Sequence, residues 1–177
     1  MLILNAYLDT CIVSGLAKED LSSDELESLQ QILKERKKGK VSLVTSPVAK
    51  EELDKIPKEK YRFKHETIYN LLSDVPVVKE FQWLSRGPMG MGMGMSMGPV
   101  GGKRLDPLFD KLINLLPDEA DARHLFQAAK NNVQYFITTD NKTILSYREQ
   151  IEALCKVKVV NPQEFIEILG RVKVKDA

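Results

Sequence analysis

The sequence predicts an α/β fold: a three-layer α/β/α sandwich on a parallel five-stranded sheet, with the first and fourth strands adjacent at its centre. Three observations predict it. Five short runs, Leu2–Leu8, Val41–Thr45, Val75–Lys79, Tyr135–Thr139 and Val157–Val160, are aliphatic or β-branched and mostly non-alternating, as expected of strands buried on both faces. Helical patterns separate these runs, which favours parallel pairing with helices on both sides. Two of the runs stop abruptly at an aspartate, Asp9 in "LILNAYLDTCIV" and Asp140 in "QYFITTDNKTIL".

Taken in chain order, the first run is apolar from Leu2 to Leu8 before it meets Asp9. Ser22 with Glu25 forms a capping-box pattern, and Leu26, Leu29, Ile32 and Leu33 then make one apolar helix face. Ser46-Pro47 follows the second run and opens a helix with proline at its first position. A third helical pattern covers Tyr61 to Leu72. After the Val75–Lys79 run comes "SRGPMGMGMGMSMGPVGG", Ser85 to Gly102, where glycine opposes fixed structure and methionine supplies soft apolar surface. It reads either as a surface insertion or as a flap or docking loop that closes over substrate. "PDEADARHLFQAAK" opens a helix at Pro117 that runs to about Asn131, antiparallel to the run ending at Asp140, so its start returns to that strand's carboxyl end. "NPQEFIEIL" repeats the cap-then-proline signal from Asn161.

The 177 residues are 43% hydrophobic, which suits a single domain over 1–177 carrying the Gly/Met-rich insertion at about 85–102. Lys and Arg number 26 against 25 for Asp and Glu, so a local basic patch, not the overall field, would have to draw nucleic acid. No apolar run reaches the length of a membrane span and no apolar signal segment follows Met1, so the expectation is a cytoplasmic protein without a membrane partner. Cys11 and Cys155 lack metal-ligand spacing and read as small core residues of a reducing compartment, a disulfide being the alternative.

Acids gather where the predicted strands end. Asp9 and Asp140 fall at the carboxyl edge, where parallel sheets bind ligands at the switch point. Glu51 and Glu52 lie in the helix after the second strand. Asp118, Glu119 and Asp121 open the helix before the fourth, with Asp121 able to face Asp140. Each has an ordinary explanation: acids suit a helix amino end, Asp140 can begin an Asx-turn, and Glu51 can be a solvated helix residue. Clustered carboxylates, however, repel one another and persist together when a cation neutralises them. Oxygen-only donors favour Mg²⁺ or Mn²⁺, and zinc is disfavoured because neither His65 nor His124 has a cysteine or second histidine nearby. Such a cation serves in-line attack of water on phosphodiesters.

The stretches "YLDTCIVSGLAK", "SPVAKEEL" and "DEADARHLFQAAKNNVQYFITTD" resemble, in order and context, the PIN-domain ribonucleases. The resemblance runs from Leu2 to Ile168 and implies a PIN-like fold and a metal-dependent endoribonuclease leaving 5′-phosphate and 3′-hydroxyl ends. Carried over by position, it makes Asp9, Glu52, Asp121 and Asp140 the catalytic and metal-holding acids, with Mg²⁺ or Mn²⁺ as cofactor. Glu52 is preferred to Glu51 because the family acid stands just before a leucine, here Leu53. Thr10 and Thr138 match hydroxyl residues that often bond the acids in that family. The implied partners are RNA, single-stranded or structured, and an antitoxin protein if the chain is the toxin of a toxin–antitoxin pair; a homodimer is compatible. The chain is longer between Glu52 and Asp121 than compact toxins of this kind, the Gly/Met-rich insertion being part of the excess.

Rival chemistries fit less well. A haloacid-dehalogenase phosphatase would need a second aspartate where Cys11 stands, and no Gly-rich phosphate loop joins a strand to a helix. The serious alternative is a catalytically silent PIN-like module that binds RNA or protein. A metal-free ribonuclease would need an acid–base pair, and His124, one turn from Asp121, has no evident link to His65. Basic runs Lys34–Lys40 and Lys55–Lys64 either contact phosphates, the second with Tyr61 and Phe63 to stack on bases, or are solvated surface. If the insertion is a surface loop, deleting Gly87–Gly102 leaves the melting temperature within a few degrees of wild type by circular dichroism. A drop of many degrees would mean that it packs on the core.

Overall fold

The computed structural model describes residues 3–55, 76, 78–85 and 104–175. Strands β1 (Leu4–Leu8), β2 (Val41–Val44), β5 (Tyr135–Ile137) and β6 (Lys158–Val160) form a parallel sheet in the order β2-β1-β5-β6. A short antiparallel pair, β3 (Leu84–Ser85) with β4 (Arg104–Leu105), is separate from it. Seven α-helices are described: α1 (Thr10–Lys18), α2 (Ser23–Lys37), α3 (Pro47–Asp54), α4 (Pro107–Leu115), α5 (Glu119–Lys130), α6 (Arg148–Cys155) and α7 (Pro162–Lys175). None among the described residues is long and apolar enough to cross a membrane.

The sheet has four strands among the described residues, not the expected five. Val75 and Val77 lie outside those residues, while Pro76 and Val78 flank the end of β2 through isolated backbone bonds. Thr45 N–H donates to the Pro76 carbonyl at 3.2 Å, and Val78 N–H donates to the Thr45 carbonyl at 2.8 Å. Pro76 has no N–H with which to extend a ladder. The helical pattern over Tyr61–Leu72, the Gly/Met-rich segment and the basic run beyond Lys55 also lie outside the described residues.

The central strand is β1, paired with β2 on one side and with β5 on the other. Its residues divide between two cores. Leu4, Ala6 and Leu8 pack with Ile12, Leu29, Ile32 and Phe165, whereas Tyr7 packs with Phe109, Leu125, Phe126 and Phe136. Helices α1, α2 and α7 thus cover one face, and α4, α5 and α6 the other. Burial on both faces explains why these strands read as continuous apolar runs.

Local signals fix the helix starts. The Ser22–Glu25 capping box is present in both directions, and Asn161 and Glu164 make the same reciprocal pair at the start of α7. On α2, Leu29 and Ile32 are buried and Leu33 is partly so, but Leu26 is exposed, which shortens the expected apolar stripe. Helix α5 begins at Glu119 rather than Pro117, because Asp118 accepts from Ala120 N–H and acts as its cap. Both cysteines are free thiols.

Phe136 is fully buried and stacks on Tyr7 at 5.0 Å between ring centroids, joining the two central strands on one face. Phe136→Ala should therefore lower the unfolding free energy by about 3–5 kcal/mol, the usual range for such a truncation, as read from chemical denaturation.

Candidate active site

The chain leaves β1 for a connection to β2 on one side of the sheet, and leaves β5 for β6 on the other. The carboxyl ends of β1 and β5 therefore border the switch point, where open parallel sheets form a crevice. Asp9 follows β1 and Asp140 lies three residues beyond β5. Asp9 N–H donates to the Ile137 carbonyl at 3.1 Å, which ties the two strand ends together.

Thr138 fixes both acids. Its hydroxyl is fully buried; it donates to Asp9 Oδ2 at 2.6 Å and accepts from Asp140 N–H at 3.0 Å. Asp9 itself is only 3% exposed. It occupies the cap position of α1, yet its side chain caps no helix N–H and turns to Thr138 instead. A capping aspartate ordinarily contributes ~1 kcal/mol, so the side chain forgoes a stabilising role for its place in the site.

Asp140 makes the Asx-turn that "DNKT" suggests, with Oδ1 accepting from Lys142 N–H and Thr143 N–H at 2.8 Å each. The Thr143 hydroxyl donates to its Oδ2. Burial pushes the Asp140 carboxyl up, but these bonds outweigh it and hold the group below its ordinary range.

Asp121 behaves oppositely. Burial and the charges of Asp9, Asp118 and Asp140 push it up to about 7, against a hydrogen bond from Thr143. The fold thus brings Asp9, Asp121 and Asp140 within electrostatic reach of one another, at the amino ends of α1 and α5.

Glu52 joins this group from the side. Thr10, the first residue of α1, donates its hydroxyl to Glu52 Oε2 at 2.6 Å, and His124 Nε2 stands 3.0 Å from the same oxygen. Burial raises the Glu52 carboxyl, but His124 and Thr10 more than offset this and keep it ionised. Glu51 is placed elsewhere: it pairs with Arg123, whose guanidinium lies 4.4 Å above the Trp83 ring. Of the two adjacent acids, Glu52 is the one that faces the site.

Sequence reasoning weighed His124 only as a zinc ligand or as an acid–base partner of His65, and it left out Thr143. A histidine inside an amphipathic helix carries no mark of its partners, and Thr143 looks like an ordinary turn residue. The second strand and its following helix supply one more neighbour, Ser46, whose hydroxyl lies 2.6 Å from that of Tyr7. Of the first basic run, Lys38 and Lys40 are engaged by the buried carboxylate of Glu35, which favours the solvated-surface reading for that end of α2.

Among the described residues, no three His, Cys, Asp or Glu side chains converge as a ready-made metal cage. The donor set nevertheless suits a hard cation. It is made of oxygen, and its mutual repulsion falls on Asp121, the group a positive charge would relieve. Comparison with protein families, curated proteins and solved structures yields no match.

The raised Asp121 carboxyl sets a pH dependence. Its folded value lies above the unfolded one, so its favourable contribution is complete below about pH 4 and is lost as the pH rises through 7. Asp121→Asn should therefore be more stable than wild type above pH 7, by ~1–2 kcal/mol once solvent screening is allowed for, with the gain fading towards pH 4. Denaturation midpoints across that range measure it.

Proposed function

We propose that the protein is a metal-dependent endoribonuclease of the PIN-domain kind, which hydrolyses RNA to 5′-phosphate and 3′-hydroxyl ends. The observation that carries this reading is that Asp9, Asp121 and Asp140 lie within electrostatic reach of one another at the switch point of a parallel sheet, with Asp121 pushed up to about 7 by burial and by its neighbours' charge. An isolated structural acid has no need of such neighbours. In this reading the PIN-like architecture is the finer description of the α/β fold, and an antitoxin is a partner only if the chain is the toxin of a toxin–antitoxin pair.

Mg²⁺ or Mn²⁺, when bound, neutralises phosphate charge and makes water more acidic. Asp9, Asp121 and Asp140 would hold the cation directly or through solvent. Asp9 and Asp140 enter this role already aligned by Thr138 and Thr143, so little rearrangement is required of them. Glu52 has Oε2 occupied by His124 and Thr10, which suits it to orient the attacking water and not to hold the cation face-on. Attack by external water on phosphorus places the phosphate on the 5′ side of the downstream product.

A single-turnover assay on a mixed RNA pool, with Mn²⁺ or with EDTA, tests the reading. Cleavage should require the metal and leave 5′-phosphates. Asp9→Asn, Asp121→Asn and Asp140→Asn should each fold and slow cleavage by at least ~10²-fold. Calorimetric titration should show Mn²⁺ binding weakened by Asp9→Asn and by lower pH. Cleavage that survives EDTA, or 2′,3′-cyclic phosphate ends, refutes the mechanism. Binding of RNA without cleavage of any pool favours the catalytically silent module.

A further inference from the structure

His124 lies on α5 with its side chain 1% exposed, yet both ring nitrogens have partners from other elements. Nδ1 is 2.6 Å from the hydroxyl of Tyr7 on β1, and that hydroxyl is 2.6 Å from Ser46 Oγ at the end of β2. Nε2 is 3.0 Å from Glu52 Oε2 on α3, with Thr10 Oγ1 at 3.5 Å. Ser46, Tyr7, His124 and Glu52 therefore form one chain of polar groups, from the buried end of β2 to the edge of the acid cluster.

We infer that His124 is a positioning residue for Glu52: its ring, braced by the Tyr7 and Ser46 hydroxyls, fixes the carboxylate by occupying Oε2 and leaves Oε1 to address water or substrate. This rests on the nuclease reading of the site. The donor order supports it. Nε2 faces a carboxylate and so carries a hydrogen; in the neutral ring Nδ1 then accepts from Tyr7, whose oxygen accepts from Ser46. In the neutral ring every donor in the chain points towards Glu52, and in the protonated ring Nε2 still donates to it. Among the described residues no hydrogen bond reaches Oε1, and the Glu52 side chain retains 26% exposure.

The energetics favour a positional role over a structural one. A buried polar chain contributes little net stability compared with apolar packing of the same volume. Leu125, Phe126 and Phe136 belong to the apolar cluster that already supplies the packing on that face of the sheet. What an apolar residue at 124 could not supply is a hydrogen for Glu52 set in a direction that the core dictates.

Two measurements on the full chain decide the matter. Long-range ¹H–¹⁵N correlation of the histidine rings should place a hydrogen on Nε2 of His124 in the wild type, and Glu52→Gln and Tyr7→Phe should each move its ring nitrogen shifts. A hydrogen on Nδ1 alone overturns the proposed order. In the single-turnover assay with Mn²⁺, His124→Met should slow cleavage about 10–100-fold, as loss of an outer-shell partner does, and His124→Gln, which keeps an N–H donor, should recover part of that loss. The double variant His124→Met/Glu52→Gln should be no slower than Glu52→Gln alone. Losses that multiply would show that His124 acts independently of Glu52. If His124→Met does not fold, His124→Gln and Tyr7→Phe carry the same comparison. If the wild type cuts no RNA, the nuclease reading falls, while the ring nitrogen spectra still decide the His124–Glu52 pairing.

Discussion

Repulsion among carboxylates governs the carboxyl edge of this sheet. Asp9, Asp121 and Asp140 would each be better solvated apart, and the fold holds them together all the same. It does so with neutral donors. Thr138 and Thr143 give hydroxyl hydrogens to Asp9 and Asp140, backbone N–H groups complete the shell of Asp140, and the amino ends of α1 and α5 contribute partial positive charge. Neutral dipoles satisfy carboxylates without cancelling their charge, so the field of the cluster survives. A lysine in the same place would have stabilised the acids more and left nothing for a cation to do.

Glu52 alone in this group is held by a ring nitrogen. That division separates the cluster into two kinds of group, three acids that face one another and one whose carboxylate is fixed by an imidazole. Burial works against the positive form of His124, but Glu52 and the nearby Asp9 and Asp121 raise it. The ring is therefore part of the electrostatic frame and too enclosed to serve as a solvent-exposed general base.

Much of this was legible in the sequence. The terminal aspartates of β1 and β5 declared themselves because a doubly buried strand has no local use for an acid at its end. The strand adjacency followed from alternation of strands and helices, and the caps at Ser22 and Asn161 from local chemistry that needs no tertiary context. Three helices went unremarked. Helix α1 begins directly at the acid and looks like a continuation of the strand's apolar run, and α6 is short. Helix α4 does carry a cap-then-proline signal in Asp106 and Pro107, the same signal that was informative at Asn161. The fifth strand failed on Pro76, whose missing N–H limits pairing beside β2. The role of His124 was invisible because its partners come from β1, β2 and α3, and sequence separation of this kind leaves no periodicity to detect.

Cys11 sits one residue from Thr10 with its sulfur 3.2 Å from the Thr138 hydroxyl and accepting from Thr139 N–H. Burial, then the charge of Asp9 and a hydrogen bond with it, hold the thiol far above its ordinary range, so thiolate is scarce there. Oxidants and electrophiles attack thiolate and not thiol. Burial, together with the negative field that readies the cluster for a cation, thus protects this sulfur from peroxide, and the neighbourhood of Asp9 can keep its composition through oxidative stress that would modify a cysteine beside a basic group.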